Sequence, residues 1–156
     1  MKEIIELLKK KGLTISTMES CTGGGVVNAL TNVPGASEVL QFSAVTYSNE
    51  YKVKMGVSKD IIDKYSVYSI ETAKEMALNI SKFTNSSLGV GVTGKLYRVD
   101  ENNLVGDNNK VFISIYDSLN DEYFNKEIIV QDIPREKNKE LIINTIKELL
   151  LEILSR

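Results

Sequence analysis

The sequence predicts a single-domain α/β protein, a three-layer α/β/α sandwich around a mixed, mostly parallel sheet. Three observations carry that prediction. Helical and strand periodicities alternate along the chain in the order α-β-α-β-α-β-β-β-α, which places helices on the faces of one sheet. The 156 residues, 42 % of them apolar, suit one core and would give two domains a poor one each. The turn Glu19-Ser20-Cys21-Thr22-Gly23-Gly24-Gly25 joins a strand to a helix, a junction typical of open α/β sheets.

Taken in order, residues 3–11 carry Ile4, Ile5, Leu7 and Leu8 at helical spacing, and Gly12 follows as a cap. Lys9-Lys10-Lys11 closes this helix, where cations complement the dipole. Leu13 to Met18 alternates as a strand, and Val26 to Thr31 forms a short helix stopped near Pro34-Gly35. Glu38 to Tyr47, rich in Val, Phe and Thr, reads as a second strand.

Short helices follow over 49–55 and 58–65, the latter capped by Ser58. Ser69 caps a longer one through 70–83, with Ala73, Met76, Ala77 and Ile80 as its apolar stripe. Residues 87–93 form a buried-type strand, and the polar stretch 95–109 is a loop. Two strands over 111–115 and 122–130, joined by a short turn, must be antiparallel. The last helix starts near Pro134 and carries a continuous stripe from Leu141 to Ile153.

Composition narrows the chemistry. The chain has no histidine, which removes His-based triads, His-ligated zinc and the commonest general base near neutral pH. One cysteine allows neither an internal disulfide nor a structural zinc site within the chain. A net charge of −2 with a single basic cluster points away from nucleic acid. No apolar run approaches a membrane span and the N-terminus is unlike a signal peptide, so the expected compartment is the cytoplasm.

Two motifs fail on inspection. Gly89-Val90-Gly91-Val92-Thr93-Gly94 matches a dinucleotide fingerprint by letter, but its first glycines lie inside a strand, where they admit close packing or a ligand. Asp100 to Asp107 lacks a calcium loop's pattern, because Leu104 and Val105 stand where a ligand and the turn glycine belong.

The turn at 19–25 lies where ligands bind in such folds, beyond the carboxyl end of a strand. Glycines let backbone amides approach a ligand, and a helix N-terminus favours a developing oxyanion. Ser20 there is either a nucleophile or, with Thr22, a plain helix cap. A nucleophile in a histidine-free chain needs lysine, tyrosine or a carboxylate as base. Lys52, in the segment Thr46-Tyr47-Ser48-Asn49-Glu50-Tyr51-Lys52, would lie at the same sheet edge, either as that base or as an ordinary surface lysine.

Three segments are shared with a known family. Glu19-Ser20-Cys21-Thr22-Gly23-Gly24, Asn32-Val33-Pro34-Gly35-Ala36-Ser37 and Val45-Thr46-Tyr47-Ser48-Asn49-Glu50 with Lys52 resemble the CinA C-terminal domain family, that of competence/damage-inducible protein CinA and nicotinamide mononucleotide deamidases. Glu71-Thr72-Ala73, Met76-Ala77 and Gly91-Val92-Thr93-Gly94 extend the similarity over nearly the whole chain.

The resemblance implies an amidohydrolase converting nicotinamide mononucleotide to nicotinic acid mononucleotide and ammonia, without metal or cofactor, in a homo-oligomer. Its partner would be a small-molecule nucleotide rather than nucleic acid or membrane. It implies Ser20 as nucleophile, Lys52 as a Ser–Lys type base, and Tyr47 beside them. It places Thr22, Gly23, Gly24, Ser48, Asn49, Thr93, Gly94 and Arg135 around the substrate, with Arg135 toward a phosphate.

The chain departs from the family in three ways. The usual Ala-Gly-Pro and Gly-rich loop after Thr93-Gly94 is here Lys95-Leu96-Tyr97-Arg98-Val99-Asp100. The usual His-Gly-Ala-Val-Ser lead-in to the middle helix is Tyr65-Ser66-Val67-Tyr68-Ser69. The resemblance is to a stand-alone form, in which the N-terminal domain of many CinA proteins is not expected. These departures leave two other functions open: a nucleotide-binding or interaction module that has lost the reaction, or a 95–109 loop that serves a partner protein or subunit interface.

Overall fold

The computed structural model describes residues 1–156. Helix α1 (Lys2–Lys11) ends on Gly12, whose left-handed φ of 65° lets its N–H close on the carbonyls of Leu8 and Lys9. Strand β1 (Ile15–Glu19) leads through the glycine turn into α2 (Gly25–Thr31). After a 3-10 turn at Ala36–Glu38 come β2 (Ala44–Val45), α3 (Asn49–Lys54), α4 (Lys59–Tyr65) and α5 (Ile70–Thr84). Then follow β3 (Leu88–Gly94), β4 (Lys110–Asp117), β5 (Glu122–Ile129) and α6 (Arg135–Leu154). Ser48, Ser58 and Ser69 each cap a helix, their hydroxyls accepting the N–H of Tyr51, Ile61 and Thr72.

The five strands lie in the order β2-β1-β3-β4-β5. β1 pairs in parallel with β2 and β3, while β4 runs antiparallel to both β3 and β5. Four strands therefore point one way and β4 alone opposes them. On one face α1, α2 and α6 bury Ile5, Val26 and Ile146 against Val90, Val92 and Ile113. On the other, α4 and α5 enclose Met18, Ile62, Met76 and Ile80. Alternation along β3 assigns its faces: Leu88, Val90 and Val92 meet the first layer, and Gly89 and Gly91 meet α5.

Those two glycines admit the helix, not a nucleotide. A Cβ on Gly91 would stand 2.2 Å from the Ala73 carbonyl and 2.7 Å from the Ala77 nitrogen, both backbone atoms that cannot turn aside. Gly91→Ala is therefore expected to push α5 off the sheet at a cost of about 3 kcal/mol. In a melting experiment this reads as a fall in Tm of roughly 6–12 °C. An unchanged Tm would mean that α5 slides freely over β3.

The second strand is much shorter than the expected 38–47. Backbone bonding there is piecemeal: the Val39 carbonyl accepts from Ile15 N–H at 2.8 Å, and the Ser43 hydroxyl accepts from Thr17 N–H at 3.1 Å. Only Ala44 and Val45 join a ladder, opposite Met18 and Glu19. Phe42 turns out of the sheet to stack on Phe83, ring centres 5.2 Å apart. Tertiary packing overrode strand propensity in this segment.

Candidate active site

Strand β1 ends on Glu19, and the backbone then turns sharply through Gly23 (φ 60°) and Gly24 (φ 92°) into α2. The buried Glu19 carboxylate fastens the turn. It accepts the N–H groups of Val26 and Val27, each at 2.9 Å, and the hydroxyls of Thr22 at 2.6 Å and Thr17 at 3.3 Å. An anion bonded to the first-turn amides of α2 also complements the helix dipole. The Ser20 N–H is held by the Val92 carbonyl of β3 at 3.0 Å. The Thr22 N–H bonds to no other protein backbone group, while the Cys21 N–H lies against its own thiol.

The parallel β1–β2 pairing brings the segment after Val45 alongside this turn. Ser48 starts α3, and Lys52 on the helix's first full turn reaches back toward Ser20. Its ammonium donates to Ser20 Oγ at 3.0 Å and to the Thr46 carbonyl at 2.8 Å. Ser20 is 8 % exposed and Lys52 only 2 %. Burial lowers the Lys52 pKa to about 8, with Cys21 and Asp100 acting weakly in the opposite direction. Burial acts on Cys21 with the opposite sign, pushing its thiol up to about 12. Cys21 stays a protonated thiol at neutral pH, which leaves Ser20 as the nucleophile available to Lys52.

Ser20 opens into a cleft of about 440 Å³ whose lining includes Tyr47, Ser48, Asn49, Tyr68, Gly94, Lys95 and Arg135. Tyr47 is 65 % exposed at its mouth, where its hydroxyl accepts from Arg135 Nη2 at 3.3 Å. The far wall is the segment after Gly94. There Asp100 accepts from the Tyr68 hydroxyl, from Asn103 Nδ2 at 3.0 Å and from the Asn102 N–H at 3.0 Å. Asn49 Nδ2 donates to Asn103 Oδ1 at 2.8 Å, tying the wall to α3. Burial opposes ionisation of Asp100, but these hydrogen bonds outweigh it and hold its pKa below the usual carboxylate value. Burial, followed by the bond to Asp100, raises Tyr68, which stays a phenol and a donor.

The structure thus gathers Ser20, Lys52, Tyr47, Ser48, Asn49, Gly94 and Arg135, and leaves four expected residues off the cleft. Thr93 is fully buried with its hydroxyl donating to the Val67 carbonyl at 3.0 Å, because it lies on the α5 face of β3. Thr22 is turned inward to Glu19. Gly23 and Gly24 face Lys139 and Val45. The 95–109 segment is likewise more than a solvated loop, since Lys95 and Leu96 are buried and its first half walls the cleft.

Glu19, Tyr68, Asp100 and Lys95 are the residues that sequence reasoning missed. An acidic residue just before a glycine turn into a helix was a usable signal for Glu19. The Tyr68–Asp100 pair spans 32 residues and left no local pattern.

The model of the CinA C-terminal domain matches residues 1–151. The chain belongs to that family. A relative from Caldanaerobacter subterraneus named for competence-damage induction is 51 % identical over 96 residues, a match covering 60 % of this chain and 23 % of the relative. The chain spans a little under a quarter of the length of the curated relatives it matches. The competence/damage inducible protein CihA from Agrobacterium tumefaciens superposes with a TM-score of 0.87 at 30 % identity, over 99 % of this chain and 92 % of that one. A CinA superfamily protein from Klebsiella pneumoniae, 18 % identical, shares the fold at a TM-score of 0.89 over 99 % of this chain and 94 % of its own. The mixed five-stranded sheet between helical layers is the CinA superfamily architecture. No helix is long and apolar enough to cross a membrane.

Proposed function

We propose that this CinA-family chain is an amidohydrolase of the carboxamide of nicotinamide mononucleotide or a closely similar pyridine nucleotide, with Ser20 as nucleophile and Lys52 as base. One observation carries the proposal: a buried lysine with its pKa lowered to about 8 lies 3.0 Å from a buried serine that lines a cleft.

Neutral Lys52 takes the Ser20 proton as Oγ attacks the carboxamide carbon. The oxyanion forms against the backbone of the glycine turn that follows Ser20, at the N-terminal end of α2. The C–N bond then breaks, Lys52 returns the proton to the leaving nitrogen, and ammonia departs. Water attacks the acyl-serine with Lys52 again accepting a proton, which releases the acid and restores Ser20. Tyr47 and Arg135 at the mouth suit the hydroxyls and phosphate of a nucleotide.

A binding module without turnover is the second reading, and its support is the rewritten 95–109 wall. That wall leaves about 440 Å³ open. Ligand pockets commonly run from about 300 to about 1,000 Å³, so a mononucleotide has room.

Ammonia release from nicotinamide mononucleotide, matched by nicotinic acid mononucleotide, tests the proposal. The working base is neutral lysine, whose fraction grows as pH rises toward about 8. Hence kcat/KM should climb about tenfold per pH unit below that value and level off above it. No turnover anywhere in the range, or a profile that falls with pH, would contradict the assignment.

A further inference from the structure

The cleft wall contains a lysine in no salt bridge, although the Asp100 carboxylate lies within electrostatic reach of it. Lys95 follows directly on β3, and its N–H is pinned to the Lys110 carbonyl at 3.1 Å. The residue is 3 % exposed, yet it lines the cleft that Ser20 opens into. Its ammonium meets only two neutral oxygens, Gly106 O at 3.4 Å and Asn108 Oδ1 at 3.3 Å, both longer than ordinary N–H···O bonds. It also lies 5.0 Å over the Tyr68 ring.

The other cations of the cleft differ from it. Arg98 pairs with Asp132 at 3.5 Å. Arg135, exposed at the mouth, donates to the neutral Tyr47 hydroxyl and keeps its charge in solvent. Asp100 is the one carboxylate on the wall, and both its oxygens already accept hydrogen bonds from Tyr68, Asn102 and Asn103. A buried cation that meets only neutral oxygens directly, with its nearest carboxylate already hydrogen-bonded elsewhere, gains from an anion that comes into contact with it.

We propose that Lys95 is the specificity-determining residue of this cleft, binding an anionic group of the substrate, a phosphate monoester, and so selecting phosphorylated over unphosphorylated substrates. The inference rests on the reading that substrate binds in the cleft beside Ser20. It gives the 95–109 wall a chemical role, with one side-chain charge acting where a loop of free amides would otherwise serve.

The test compares wild type with Lys95→Gln and Lys95→Met, which remove the charge while keeping most of the stem's bulk; either variant that folds suffices. The first arm is the KM ratio of nicotinamide riboside to nicotinamide mononucleotide. A charge-assisted contact predicts a ratio on the order of 10² in wild type, falling to about 10 or less in the variants. The second arm needs no turnover: inorganic phosphate at millimolar concentration should raise the Tm of wild type and do so markedly less for the variants. Phosphate stabilisation of wild type alone, with no amide hydrolysis, would uphold the anion site while removing the proposed reaction. Equal ratios and equal stabilisation in wild type and variants would overturn the role of Lys95. Lys95→Arg, which keeps the charge, is expected to retain most of the preference.

Discussion

Lys52→Met is expected to lower amide hydrolysis on the order of 10³-fold or more while leaving the fold no less stable at neutral pH. The catalytic half follows from geometry, because no other base touches Ser20 and the chain has no histidine to replace it. The stability half follows from linkage. An unfolded lysine titrates near its ordinary 10.5, whereas the folded one titrates near about 8.

Below that lower value the ammonium is charged in both states, and the fold bears the full cost of burying it, at most on the order of 3 kcal/mol. Between the two values the cost fades, and above the upper one it is gone. Methionine removes the cost but also the hydrogen bonds to Ser20 and Thr46, which offsets about 1–3 kcal/mol of the gain. Melting temperatures of wild type and variant should therefore draw together or cross in favour of wild type as pH rises through this window. The double variant Ser20→Ala/Lys52→Met should be no slower than the slower single one, since the two act as a unit. Losses that multiply would mean that the residues act separately.

The second large effect belongs to Glu19, which touches no substrate. Glu19→Ala strips acceptors from two α2 amides and two threonine hydroxyls, all of them buried or partly so. Each orphaned buried donor costs about 1–3 kcal/mol, and the helix end loses its complementary charge. A total of about 3–5 kcal/mol is expected, allowing for partial relaxation, or a Tm fall of roughly 10–15 °C. Activity should fall with it, because the same turn holds Ser20 in place. Glu19→Gln keeps the shape but sets an amide NH₂ against donors, and should land between alanine and wild type. An Ala variant that melts like wild type would show that the turn holds its shape without the carboxylate.

What could be read in advance was whatever a local pattern encodes. Ser58 and Ser69 announced their helices because a hydroxyl cap is a property of four consecutive residues. The approach of Lys52 to Ser20 followed from topology: parallel neighbouring strands end at one edge, so the segments leaving them meet. Tertiary choices stayed hidden. The 38–47 segment has strand composition, yet only Ala44 and Val45 pair in the sheet, while Phe42 lies against Phe83. Thr93 sits in the right strand but on its α5 face, a matter of register that a seven-residue apolar run cannot reveal. The wall around Lys95, Asp100 and Tyr68 joins residues from two distant segments, and only the folded chain shows that Asp100 is fully hydrogen-bonded while Lys95 contacts only neutral groups.

The most direct measurement is ammonia release from nicotinamide mononucleotide by Ser20→Ala beside wild type, on the pH plateau above about 8. The Ser20–Lys52 account predicts that removing one oxygen leaves the fold intact and reduces turnover to about a thousandth or less. Turnover by Ser20→Ala at the wild-type rate would contradict it.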